Sequence, residues 1–419
     1  MFNILDAIKK EEPYILKMYK DFHLHPEVGG KEERTVKVVM AELEKFGIPC
    51  EHRENGGIIG WINQGKAGRK VALRADMDAL PMEEAPKNLV CERKMVSKTK
   101  EAMHACGHDG HTAMLLAAAK VLSEHKDEVP GQVVLLFEQG EEMGYGGTGI
   151  ARMVVEESPD TIWGIHLYNG LPSGKISVDP GPRMAAGVFF EVEITGKGGH
   201  GSRPDLSNNP LNCFVDVYNN LSTMKMNYLD PFITTTFSVG KVNMGSAPNI
   251  IPESIRFAGS FRVTDLNESK KSATRAKEVL EHCCALHHCT YQVISGLNPS
   301  GMVVFNHAGY SALAAQSIKT VLGESYLQST PTWMASESMA MYLKYAPGVF
   351  AFVGINNPEK GTGAAHHNPH FEVDEDVLVL GAAATVQYTL DALVTPVDTS
   401  DFTANPHTPE ELREKPWLG

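Results

Sequence analysis

Gln132-Val-Val-Leu-Leu-Phe-Glu138, continuing as Gln139-Gly-Glu141-Glu142, is a short apolar run that ends in carboxylates. A run this short, without polar alternation, suits a strand buried on both faces in the centre of a parallel sheet covered by helices. Three further runs have the same texture: KVALRAD at 70–76, TIWGIHLY at 161–168 and GVFAFVGI at 348–355. Helical periodicity fills residues 4–50 and recurs between the runs, as expected of an α/β architecture with a mostly parallel sheet between helices. In such sheets ligands bind beyond the carboxyl ends of the strands. The polar residues of this chain gather there. The KVALRAD run leads into Asp76-Met-Asp78, the run at 132–138 into Glu141-Glu142, and the run at 161–168 carries His166. After the last run, a Gly-rich loop, NNPEKGTGAA, delivers His366-His367.

A different texture starts near Gly187. Residues 187–200, 232–242, 254–263 and 290–295 alternate apolar and polar, as half-exposed antiparallel strands do, with helical stretches around 209–226 and 267–288. The expected organisation is a catalytic domain in two parts, 1–186 and 297–395. An inserted α+β lid and dimerisation domain with an antiparallel sheet occupies 187–296, and a polar, Pro-bearing tail, 396–419, lies on the surface or is disordered.

The segment His104-Ala-Cys106-Gly-His108-Asp109-Gly-His111 packs three His, one Cys and one Asp into eight residues ahead of a helical run. Thiolate, imidazole and carboxylate are the side chains that bind transition metals at neutral pH. Neither a structural nor a catalytic site closes on Cys106 and His108 alone. The acids and histidines expected at the same sheet edge strengthen the signal and point to a metal-dependent hydrolase.

Composition narrows the partners. The chain has 419 residues and a formal net charge of −13, with no Lys/Arg cluster, which argues against nucleic acid. No signal-peptide pattern opens the sequence, and no window approaches the length of a membrane span. Seven scattered Cys do not form a disulfide framework, so a reducing, cytoplasmic setting is expected.

Several long, ordered motifs carry a family resemblance across roughly residues 15–395: FHLHPEVGGKEERT at 22–35, RADMDALP at 74–81, MHACGHDGHTAMLLAAAKVL at 103–122, FEQGEE at 137–142, GIHL at 164–167, GKGGHGSRP at 196–204, NIIP at 249–252 and HNPHFEVDED at 367–376. The chain resembles the metal-dependent N-acyl-amino-acid amidohydrolases, which include hippurate and auxin-conjugate hydrolases and are more distantly similar to aminoacylases and co-catalytic metallocarboxypeptidases. The resemblance implies two divalent ions per subunit (zinc, manganese or cobalt), held by Cys106, His108, Glu142, His166 and His367. It implies Glu141 as general base, with Asp78 behind a ligand imidazole or holding its loop. It implies a homodimer through the inserted domain, in which His200 stabilises the oxyanion from across the dimer. Asn249 and Arg262 become anchors for the substrate carboxylate, a planar anion that an Arg fork fits. The expected substrate is an N-acyl amino acid or a short peptide, cleaved at its amide by metal-activated water.

The chain departs from the family pattern at two places. Glu138 adds a carboxylate before the Glu pair, either a harmless strand-end residue or a group that disfavours acidic substrates. Ser338 and Met339 stand where the family tends to have Asp and Phe. Other readings are a dipeptidase or carboxypeptidase on the same site, a cysteine hydrolase with Cys106 as nucleophile, and a non-catalytic metal-binding protein. The cysteine hydrolase is weakened because Cys106 lies two residues from His108 among other ligands, with no separate activating His. Glu141 beside Glu142 argues against a dead site. The Cys/His-rich segment 281–290, if helical, spreads its ligands over several faces, so no second metal site is expected there.

Overall fold

The computed structural model describes residues 2–419, which form two compact units. The first runs to Arg183 and takes in Phe305–Pro331 and Ser338–Pro409; the second comprises Met184–Val304, Thr332–Glu337 and Glu410–Gly419.

In the first unit seven strands lie in the order Cys50–Arg53, Gly57–Ile62, Gln132–Glu138, Lys70–Asp76, Thr161–Pro172, Gly348–Asn356, Ile176–Ser177. The four apolar runs form its parallel centre, with Lys70–Asp76 between Gln132–Glu138 and Thr161–Pro172. Antiparallel strands absent from the sequence reading finish both edges. Strand alternation sends Val71, Leu73, Ala75, Val133, Leu135 and Phe137 into one core, shared with helices His108–Glu124 and Val377–Val394. The alternate residues are equally dry: Ala72, Val134 and Leu136 are buried too, and helix Gly147–Glu157 packs against Gln132–Glu138. Burial on both faces is why these runs lack alternation.

Val377–Val394 corrects one expectation. It is long and apolar enough, by length and composition, to cross a membrane. Yet 83% of it is buried inside the protein, so its apolar surface is that of a core helix, packed against His108–Glu124 and Ala308–Val321.

The second unit holds a four-stranded antiparallel sheet, ordered Thr235–Met244, Ser254–Val263, Ala186–Thr195, Thr290–Gly296. Val188, Phe190, Val192 and Ile194 enter a core shared with helices Pro210–Ser222 and Leu266–Leu286, while Phe189 stays exposed on the other face. The Cys/His-rich segment ends the second of these helices. Cys283, Cys284 and Cys289 are buried, and Cys284 meets Cys213 of the neighbouring helix at 3.6 Å between sulfurs. Among the described residues no three ligand atoms converge there. The C-terminal segment is more ordered than its composition suggests. It carries helix Pro409–Glu414, Leu412 is fully buried, and Pro416 accepts a backbone hydrogen bond from Gly301.

Candidate metal centre

The site is assembled around the carboxyl ends of the first unit's parallel strands. Gly107, at φ +90°, turns the chain between Cys106 and the helix that starts at His108. A side chain there would also press on Leu167 at 3.2 Å. Glycine's tolerance of this left-handed conformation lets Cys106 and His108 face one point. His367 is itself left-handed at φ +58°, which for a residue with a Cβ costs on the order of 1–2 kcal/mol. Its N–H donates to Ala105 O at 2.9 Å, which holds it beside the Cys106 turn.

The ligand atoms of Cys106, His108 and His166, all buried, lie within 4.8 Å of one another. So do those of Cys106, Glu142 and His367, and those of His108, Glu141 and Glu142. Cys106 is common to the first two sets. Its sulfur is 3.5 Å from His166 Nε2, and His367 Nε2 is 2.9 Å from Glu142 Oε1. All five expected ligands therefore converge in the first unit, with Glu141 at the edge of the cluster.

Three of the five expected ligands are aimed by a second group. His108 Nδ1–H donates to Asp78 Oδ1 at 3.0 Å, and Asp78 Oδ2 accepts the Glu142 N–H at 3.0 Å, so one carboxylate fixes two ligands. That leaves His108 Nε2 buried without a hydrogen-bond partner. His166 Nδ1–H donates to the Leu167 carbonyl at 2.7 Å, which directs its Nε2 lone pair at Cys106. The same carbonyl accepts from His366 Nε2 at 2.9 Å, and the Leu167 N–H donates to His111 Nε2 at 2.8 Å. One residue's backbone thus serves three imidazoles. His111 also donates from Nδ1 to Asp76 Oδ1 at 2.6 Å. Both its nitrogens are engaged, so its closeness to Asp76 and His108 does not make it a ligand.

The electrostatics call for a cation. Burial and then Glu142 push the Cys106 thiol up. Burial opposes the charge on Glu142, but His367 and His108 hold its carboxyl below the usual range. Burial likewise opposes protonation of His108, which Asp76 and the Cys106 side chain outweigh, raising it. Burial drives His166 well below its usual range, so it offers a neutral nitrogen. A thiol, a carboxylate and the neutral imidazole of His166 beside the buried, unpartnered His108 Nε2 fit a borderline-soft divalent ion.

Glu141 and Glu142 diverge as adjacent residues do. Glu142 faces His367, whereas Glu141 Oε1 accepts the Ser338 backbone N–H at 3.0 Å. Glu138, the additional carboxylate, is fully buried against Arg74 and is not offered to a substrate. Three orienting groups receive no role in the sequence analysis. Asp76 and His111 carried a legible signal, an acid at a strand end and a histidine three residues after His108, one helical turn along. The Leu167 backbone carried none, because main-chain groups leave no trace in residue identity.

His200, Asn249 and Arg262 belong to the second unit. His200 ends the two-residue strand Gly199–His200, paired with Ile250–Ile251, and Gly201 N–H donates to Asn249 O at 2.9 Å. His200 and Asn249 are therefore neighbours. Ser202 N–H donates to His200 Nδ1 at 3.1 Å, which places the ring proton on Nε2 and makes that nitrogen a donor. Arg262 lies over the Phe189 ring, 4.8 Å from its centre, and donates to Ser336 Oγ at 2.5 Å, with no carboxylate ion pair among the described residues.

Residues 72–391 match the profile of Peptidase family M20/M25/M40. The chain belongs to that family. Among relatives of the M20 chain, the Arabidopsis thaliana IAA-amino acid hydrolase ILR1-like 4 is 35% identical over 374 residues, 88% of this chain and 83% of the plant protein. Thermostable carboxypeptidase 2 of Saccharolobus solfataricus is 33% identical over 383 residues, 90% of this chain and 95% of the archaeal one. The fold is similar to that of a Bacillus subtilis protein described as a dinuclear metal binding peptidase from M20 family. The TM-score is 0.76 at 26% identity, covering 93% of this chain and 99% of that one. The M20 chain is thus a hydrolase of amide or peptide bonds with a family metal site, built from a mostly parallel sheet with helices and a separate antiparallel sheet.

Proposed function

We propose that this hydrolase cleaves the amide of N-acyl amino acids, releasing a carboxylic acid and a free amino acid, and that it uses two divalent ions. The observation that carries the reading is the pair of three-ligand sets sharing Cys106, with Glu141 beside them. Cys106, His108 and His166 would hold one ion, and Cys106, Glu142 and His367 the other. Bound there, zinc, manganese or cobalt supplies Lewis acidity toward the scissile carbonyl and acidifies water. Glu141 takes the proton of the attacking water and returns it to the leaving amine nitrogen. Asp78 keeps His108 and Glu142 aimed. His200, donating from Nε2, stabilises the oxyanion from the partner subunit of a homodimer formed through the second unit. Arg262 and Asn249 take the substrate carboxylate; burial already pulls the Arg262 guanidinium down, so an anionic partner is favourable.

The similarity to IAA-amino acid hydrolases supports an amino-acid conjugate as substrate, and the similarity to a carboxypeptidase supports a second reading, removal of a terminal residue from a short peptide. Hydrolysis of N-acetyl, N-benzoyl and dipeptide substrates, with each metal restored after chelation, separates them. N-acyl amino acids should be turned over faster than dipeptides; the reverse order selects the peptidase reading. Undiminished activity in a verified metal-free preparation defeats both.

A further inference from the structure

Glu138 and Ser338, two of the chain's departures from the family pattern, meet in the structure. Asp76 lies opposite Glu138 across parallel strands, and Arg74 opposite Leu136. The two-residue alternation of strands puts Arg74, Asp76 and Glu138 on one face. All three side chains are fully buried. Arg74 donates from Nε to Glu138 Oε2 at 2.8 Å and from one terminal nitrogen to the same oxygen at 2.5 Å, while the other terminal nitrogen reaches Asp76 Oδ2 at 2.8 Å. Ser338 joins the pair. Its Oγ accepts from Arg74 at 2.9 Å and from the Tyr342 hydroxyl at 3.2 Å, and donates to Glu138 Oε2 at 2.9 Å. The backbone N–H of the same residue donates to Glu141 Oε1. Ser338 therefore links a dry ion network, through its side chain, to Glu141, through its backbone.

We propose that Ser338 is a positioning residue for Glu141, held in place by the buried Arg74–Glu138 pair; this rests on the reading of Glu141 as the base. Hydrogen bonds to charged groups are the strong ones, and a displacement of about 1 Å in a catalytic group can cost 10²-fold in rate. Fixing Oε1 fixes the carboxylate plane, and with it where the water's proton is received. Ser338 Oγ touches both Arg74 and Glu138, so a carboxylate placed at 338 competes with Glu138 for one guanidinium edge.

That competition gives the test. In the metal-loaded enzyme, Glu138→Gln and Ser338→Asp should each lower kcat by about 10–100-fold, with KM and metal content within a few-fold of the parent. The double variant, again with one carboxylate facing Arg74 from this pair of positions, should recover to within about five-fold of the parent, a departure from additivity that neighbours in one network show. Losses that simply multiply, or an unchanged kcat in Glu138→Gln, overturn the proposal. Should Glu138→Gln not fold, Ser338→Ala, which keeps the backbone N–H but loses all three side-chain hydrogen bonds, should still lower kcat by about 3–10-fold at constant metal content; an unchanged kcat overturns the proposal equally. Glu141→Gln, assayed alongside, separates the two ideas. Parent-like turnover in it overturns the base assignment and this proposal together. An inactive Glu141→Gln with multiplying losses elsewhere overturns the positioning role alone.

Discussion

His108 is 1% exposed and takes its orientation from Asp78, thirty residues away in the chain. His200 is exposed, and the groups that orient it are the hydroxyl and N–H of Ser202, two residues on. In the first unit, His108 and His111 are fixed by long-range contacts inside a dry sheet end. In the second, the candidate imidazole is fixed only by its own loop. The difference suits the two tasks. The proposed metal ligands must hold one geometry before any substrate arrives, whereas the proposed oxyanion donor need only be in place when the charge develops. The rigid cluster should therefore fail through metal content or proton transfer, and the loop through turnover alone.

The largest contrast lies inside the rigid cluster. Glu141→Gln should keep both metals yet lose several orders of magnitude in kcat, because it removes the proton carrier while preserving shape. Glu142→Gln should lose metal. Elemental analysis of the two purified proteins decides it, and a metal-free Glu141→Gln beside a loaded Glu142→Gln would exchange their roles.

His200→Ala should lose about 10²–10³-fold in kcat with metal and dimer retained, the range for one oxyanion donor. Mixing it with Glu141→Gln subunits should restore part of the activity, since one site of the mixed dimer has an intact Glu141 facing an intact His200. Verified mixed dimers no more active than their parents would confine His200 to its own chain or remove it from the reaction.

Asp78→Asn should weaken metal affinity by about 10–100-fold, because the His108 ring and the Glu142 N–H are received on different oxygens and the amide turns one of these acceptors into an NH2 donor. Titration against a competing chelator reads this directly. Unchanged affinity would mean that the dry sheet end holds its ligands without Asp78.

The last effect is on stability rather than on rate or metal binding. His23 is buried between Asp109 Oδ2 at 2.8 Å and Glu84 Oε1 at 3.0 Å. Burial opposes its charge, but these two acids outweigh it and push the ring up to about 10. A raised folded-state value means that its stabilising contribution is complete below the ordinary pKa near 6.5 and disappears as pH climbs through about 10. His23→Gln should therefore cost about 3–5 kcal/mol at pH 6, as breaking a buried ion pair does, and progressively less toward pH 10. Denaturant titrations at three pH values test this; a pH-independent difference would show that packing, not charge, holds His23.

The same contrast explains what could be read from the sequence. The parallel centre was legible because residues 71–75, 133–137 and 349–354 are largely apolar on both faces, and the clustering of Cys106, His108, Glu142, His166 and His367 because they are chemically distinctive types in ordered motifs. The antiparallel edges were not, since Cys50–Arg53 is too short and too polar to stand out. The apolar window at Val377–Val394 was not legible because Thr385, Gln387, Thr389 and Asp391 interrupt its apolar run. Glu138 looked like a surplus charge near the site until the strand register set it against Arg74. Pairings of that kind depend on which strands neighbour one another, which no local pattern encodes.

The Leu167 backbone, serving His111, His166 and His366 at once, has a consequence for how this site can vary over generations. An orienting side chain is one codon change from loss, but the carbonyl and N–H at position 167 survive every substitution except proline, which removes the N–H. Leu167 itself is fully buried, so its side chain answers to packing while its main chain answers to chemistry. Point mutation can tune the first without disturbing the second. Resetting the three rings requires an insertion or deletion that shifts the Thr161–Pro172 strand, a rarer event that would unmake the sheet as well. The histidine geometry is thereby buffered against gradual drift.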